Sequence, residues 1–172
     1  AELLKLDVDL ILAAGDIETL AAKAVNTSVT IVFAQAPDPV GNGLVRSLAR
    51  PGENVTGLSF VAPDLAGKRL QLLREALPSA KRVAMVWGGY SKFMANEVNA
   101  STDAATRLGL AIEPYPLADA DKIPRQFERI GKSRPDVLLV LADLRMVAYR
   151  DIVLDWVNRN RMPTVAGWPD FV

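Results

Sequence analysis

The chain contains neither cysteine nor histidine. Without cysteine it can form no disulfide, no thiolate zinc site and no cysteine nucleophile. Without histidine it lacks the commonest general base and the commonest metal ligand. Both absences weigh against an enzyme, and neither decides the compartment. An excess of one charge is missing too: Lys+Arg and Asp+Glu both number 20, so no net charge draws the chain to nucleic acid or to an anionic membrane. No apolar run reaches the roughly 20 residues that cross a bilayer, and no signal peptide is visible.

What is present is a globular composition, with half the residues hydrophobic and 23% charged. A length of 172 residues suffices for one packed domain, or for one lobe and part of another. The chain opens on AELLKLDVDLILAAG, already close to its first apolar run, and closes on Gly167-Trp168-Pro169-Asp170-Phe171-Val172. Both ends are expected to be cuts in a longer protein.

Strand-like and helix-like segments alternate throughout. Residues 8–14 are apolar except for Asp9, and Gly15 closes them, which predicts a strand buried on both faces. Asp16 can cap a helix that carries Ile17, Leu20, Ala21, Ala24 and Val25 on one apolar face. Further strands are expected at 30–33, 55–60, 82–87, 110–115, 136–142 and 164–167, the one at 136–142 again buried on both faces. Helices are expected around Leu44, Val45 and Leu48; from Pro63-Asp64 through Ala66, Leu70, Leu73 and Leu77; over 91–108; through Ile123, Phe127 and Ile130; and through Met146, Tyr149, Val153 and Trp156. Pro114 and Pro116 mark the strand at 110–115 as an edge or an early end. The pattern predicts an α/β fold with doubly wound, mostly parallel sheets. Either all strands share one sheet, or the strand at 55–60 is a crossing point between two.

In such folds ligands meet the loops at the C-terminal strand ends. These loops are residues 15–16, 34–43, 61–64, 88–91, 117–121, 143–145 and 168–170. They hold the candidate ligand-binding residues Gly15, Asp16, Ala34, Asp38, Tyr90, Ser91, Asp143 and Trp168. Backbone N–H groups at helix starts can take a ligand carboxylate. An Asp can pair with an ammonium, and an aromatic ring can cover a side chain. For Asp16, Ser91 and Asp143 a helix cap is the favoured reading, and Asp16 and Ser91 can serve as both cap and contact. No catalytic residue, metal site or cofactor is expected. Gly41-Asn42-Gly43 has Arg46 where a dinucleotide fingerprint needs its third glycine. No Walker A motif, G-x-S-x-G elbow or H-E-x-x-H occurs.

One long run carries a resemblance. Asp38-Pro39-Val40-Gly41-x-Gly43-Leu44-Val45-x-Ser47-Leu48-Ala49-Arg50-Pro51-Gly52-x-Asn54-Val55-Thr56-Gly57-Leu58 resembles the hallmark of the ABC-transporter substrate-binding proteins, TrpX-like group. Leu65-Ala66-Gly67-Lys68-Arg69-Leu70-x-Leu72-Leu73-Arg74-Glu75-Ala76-Leu77-Pro78 continues it. The resemblance implies an extracytoplasmic receptor of the type I periplasmic-binding fold, with two hinged lobes and a small ligand between them. Its partners would be that ligand, an amino acid and an aromatic one foremost, and an ABC permease in the membrane. On this template residues 1–60 are the latter part of the N-terminal lobe, and 61–172 are most of the C-terminal lobe. A lobe shortened in this way would expose apolar edges, so homodimerisation or strand exchange is expected of it. The loop Gly15-Asp16-Ile17-Glu18-Thr19 is more acidic than the small residues and hydroxyls usual in the family, which favours an ammonium or a neutral polar ligand. The alternatives are the ligand-sensing core of a transcriptional regulator, which shares the fold, and a Rossmann-like enzyme.

Overall fold

The computed structural model describes residues 3–25, 28–89 and 94–171. The chain divides into two compact units, Ala1–Val61 and Ala62–Val172. Each has its own parallel sheet, in the order β1-β2-β3 in the first and β5-β4-β6-β7 in the second. The strand at 55–60 is therefore the last strand of the first sheet.

The first unit holds β1 (Leu10–Ala13), α1 (Asp16–Val25), β2 (Thr30–Ala36) and β3 (Val55–Ser59). Alternation along the strands sends Ile11, Ala13, Ile31, Phe33 and Val55 to one buried face, where Leu44 and Val45 join them. The other face differs from expectation: Leu10, Leu12 and Leu58 are 48%, 69% and 71% exposed. A parallel strand is buried on both sides only where helices cover both, and β1 alternates exposed and buried residues, as a strand covered on one side does.

Helix α1 is also turned relative to its apolar pattern. Ile17, Ala21, Ala24 and Val25 face solvent, while the side turned inward carries Asp16 and Thr19, with Leu20 and Ala22 partly buried against the core. Polar bonds set that rotation. The Thr19 hydroxyl donates to the Gly15 carbonyl at 2.6 Å, and the Lys23 ammonium reaches the Leu44 carbonyl at 3.2 Å and Glu53 at 3.0 Å.

The helix expected around residues 44–48 does not form. Gly41 N–H donates to the Asp38 carboxylate at 2.9 Å, and Leu44 and Val45 N–H both donate to the Pro39 carbonyl at 2.8 and 3.2 Å. Gly43 takes a left-handed φ of +73°, and Arg46 N–H bonds to Pro51. These turns satisfy the backbone locally and bury Leu44 and Val45, while Leu48 stays exposed.

The second unit holds α2 (Ala62–Ala76), β4 (Arg82–Trp87), α3 (Ala95–Arg107), β5 (Ala111–Pro116), α4 (Ile123–Ser133), β6 (Val137–Val140), α5 (Leu144–Ala148), α6 (Arg150–Asn160) and β7 (Thr164–Ala166). Val83, Met85, Val137 and Leu139 pack with Leu70 and Leu73 of α2 and Ala104 and Ala105 of α3. The alternate residues Ala84, Val86, Leu138 and Val140 pack with Phe127 and Ile130 of α4 and Val153 of α6. β6 is buried along its whole length, and the proline-bearing β5 is an edge, both as the sequence predicts. One expected helix is two, because Tyr149 N–H bonds to both the Arg145 and Met146 carbonyls in a tightened last turn of α5.

At the opposite sheet end Asp136 clips two strands together: its carboxylate accepts the N–H groups of Lys81 and Arg82, both at 2.8 Å. Those two bonds hold its pKa below the ordinary Asp value. A depressed carboxyl stabilises the fold above its unfolded pKa, and the contribution is lost as pH falls through the folded one. Asp136→Ala should lower stability by about 1 kcal/mol near neutral pH, since the site is exposed. In calorimetry that is a Tm drop of about 2–4 °C. The gap between variant and wild type should close below the carboxylate range; a gap unchanged there would refute the assignment.

Candidate functional site

Two strand-end loop groups are described, one on each unit. On the first, Gly15 and Asp16 follow β1. Asp16 is 8% exposed, and its Oδ1 accepts from the Asn42 side-chain amide at 2.8 Å. Burial raises its pKa above the ordinary Asp value, and the charges of Asp38 and Glu18 push the same way; the Asn42 bond opposes them. Asp38 starts the turn that brings Asn42 to Asp16, accepting Gly41 N–H on its side chain and Asn42 N–H on its carbonyl. Gly15, Asp16 and Asp38 are thus brought together around Asn42. Ala34 lies inside β2, not in the loop beyond it, because the strand runs on to Ala36. It sits exposed where the β2–β3 register shifts.

On the second unit, Asp143 follows β6 and uses both carboxylate oxygens. Oδ1 accepts Arg145 N–H at 2.9 Å, capping α5, and Oδ2 accepts Gly88 N–H at 2.8 Å at the end of β4. Arg145 answers by donating to the Gly88 carbonyl at 3.2 Å. The cap expected of Asp143 is present, and it doubles as a link between the ends of adjacent strands. Trp168 follows β7, the strand paired with β6, and packs half-buried against the core face that includes Met146 and Phe171. Tyr90 and Ser91 lie outside the described residues.

Glu97 escaped the sequence reading. It sits in the first turn of α3 and is 1% exposed. Its Oε1 accepts from Arg69 of α2 at 2.7 Å and from Ala142 N–H at 3.3 Å. Burial raises its pKa above the ordinary Glu value, against the opposing charge of Arg69 and the Ala142 bond. The available signal was a carboxylate on the stripe that also carries Met94, Ser101 and Ala105. Among the described residues no group of three or more Asp or Glu stands ready for a metal ion.

Among the described residues of these loops no nucleophile is paired with a base. They offer carboxylates, backbone amides and one indole, which is recognition chemistry. The fold is that of the type I periplasmic binding proteins. A Streptococcus pneumonia ABC domain in complex with L-Trp superposes at TM-score 0.83 and 21% identity, over 95% of this chain and 56% of the other. The ligand-free, open structure of a Clostridium difficile substrate binding protein with adhesive properties gives TM-score 0.62 at 28% identity, over 98% of this chain and 56% of that one.

The family described as ABC transporter substrate binding protein matches residues 1–172, and the chain belongs to that family. A tyrosine-binding protein of Clostridioides difficile (strain R20291) is 28% identical over 161 residues, which make up 92% of this chain and 45% of that protein. The chain thus spans about half the length of these relatives.

The close approach at Gly88 is testable. A Cβ there would stand 2.3 Å from Arg145 Cβ and 2.8 Å from Asp143 Oδ2. Gly88→Ala should therefore cost about 1–3 kcal/mol, seen as a lower midpoint in denaturant unfolding. A variant as stable as wild type would mean that the Asp143–Arg145 clasp is not held in this geometry.

Proposed function

We propose that the protein is the extracytoplasmic solute receptor of an ABC importer, capturing a small polar ligand and passing it to the membrane permease without chemistry. The observation that carries this reading is the family match over residues 1–172. It favours a receptor over a regulator's sensor core and over a Rossmann-like enzyme. No described helix is long and apolar enough to cross a membrane.

The ligand is an amino acid, with an aromatic side chain foremost. Support comes from the tyrosine-binding relative and from the L-Trp complex of the similar fold. The first unit corresponds to the latter part of the N-terminal lobe and the second to most of the C-terminal lobe. On the first, the negative charges of Asp16 and Asp38 suit the ligand ammonium, with Gly15 next to Asp16 in the chain and Ala34 carried over from the sequence. On the second, Asp143 and Trp168 are the contacts within the described residues, and Tyr90 and Ser91 are carried over from the sequence. An indole at Trp168 suits an aromatic partner.

A thermal-shift screen against the natural amino acids tests this. A ligand at a hundred times its Kd stabilises by about 2.7 kcal/mol. For a domain of this size the shift is about 5–10 °C. Aromatic amino acids should give the largest shifts, and Asp16→Asn should reduce them. A cooperative melt that no amino acid moves would sink the assigned ligand class.

A further inference from the structure

Glu97 poses a physical question that the ligand contacts do not answer. A carboxylate 1% exposed is costly unless paired and fully hydrogen-bonded. Arg69 supplies the countercharge, with its own side chain 13% exposed. Yet Glu97 Oε2, equally buried, has no hydrogen-bond partner among the described residues. Replacing a buried ion pair by apolar residues of similar volume is often neutral or stabilising, so packing alone does not account for this one. What the pair does hold is Ala142 N–H at 3.3 Å. Ala142 directly precedes Asp143, whose carboxylate holds Gly88 N–H and caps α5. A continuous path runs from α2 and α3 through residue 142 to the strand-end loops after β6 and β4.

We infer that Glu97, anchored by Arg69, is a positioning residue for ligand binding: its ionised carboxylate sets the turn at residues 142–143 and thereby the loop at Gly88, and protonation releases that hold. The inference deepens the receptor reading above and rests on it for its functional consequence. The charged groups acting on Glu97 are Arg69 from α2 and Asp143 from the loop after β6; Arg145 of α5 faces the Gly88 carbonyl beyond them. Burial is the strongest influence and raises the carboxyl above the ordinary Glu value, aided by Asp143 and opposed by Arg69 and the Ala142 bond. The native chain then binds a proton that the unfolded chain releases. Stability owed to Glu97 therefore falls as pH rises from the ordinary Glu range through the raised value.

The test is a pH titration of the ¹⁵N-labelled protein, with the amides of Ala142 and Gly88 followed together. Both should move with one shared midpoint above the ordinary Glu range, and Glu97→Gln should abolish the transition at both. In calorimetry with L-tryptophan, wild-type affinity should weaken about tenfold as pH falls through that midpoint. Glu97→Gln should bind about tenfold more weakly at every pH. Should Glu97→Gln fail to fold, the double variant Glu97→Met, Arg69→Leu removes charge and partner together. Wild-type affinity in that folded double variant overturns the proposal. So does an Ala142 transition that leaves Gly88 unmoved, or a shared transition that survives Glu97→Gln. If wild type itself does not bind L-tryptophan, the aromatic-ligand reading fails, and the amide titration still decides the role of Glu97.

Discussion

Every strand of the second unit runs parallel to its neighbours, and a parallel sheet must be covered on both faces to keep apolar side chains from water. β4 and β6 meet that demand at the centre of the unit. Their alternation divides one pair of strands between two cores, one under α2 and α3 and the other under α4 and α6. Each buried Val, Leu or Met side chain is worth about 1.5–3 kcal/mol, so this double burial outweighs any single polar contact described above. It also places the candidate strand-end loops. With all strands pointing one way, the ends at Trp87, Val140 and Ala166 open at one edge, and the loops bearing Gly88, Asp143 and Trp168 follow there.

The first unit obeys the same rule on one face only. Its apolar cluster lies on the side of Ile11, Ile31, Phe33 and Val55. With fewer apolar contacts available, polar bonds take on more of the shaping. The Thr19 hydroxyl, the Lys23 ammonium and the Asp38 carboxylate each fix a segment that hydrophobic pattern alone would have placed otherwise.

Charge is used sparingly and with consequence. Asp16 and Glu97 are both raised by burial; the Asn42 amide opposes this at Asp16, and the Arg69 guanidinium and Ala142 N–H oppose it at Glu97. On the proposed receptor reading such groups serve geometry: they hold loops so that binding does not have to order them, which is where affinity is otherwise lost. The Asp143–Gly88–Arg145 clasp works in the same sense through part-buried bonds.

The sequence by itself determined the alternation of strand and helix, the doubly buried β6, the edge position of the Pro114–Pro116 strand, the helices through Leu70 and Phe127, and Asp143 as a strand-end cap. Those features depend on neighbours within a few residues, where periodicity and cap chemistry act. The long motif from Asp38 to Leu58 also carried the family, although its middle folds as turns and not as the expected helix. Only the tertiary structure decided the rotation of α1, the exposed Leu10 and Leu12, and the break at Tyr149. An apolar stripe says which residues gain from burial; whether they obtain it depends on what packs there. The Arg69–Glu97–Ala142 link was hidden for a related reason. Its partners lie 28 and 45 residues apart along the chain, and no local pattern encodes a hydrogen bond that exists only once three elements have come together.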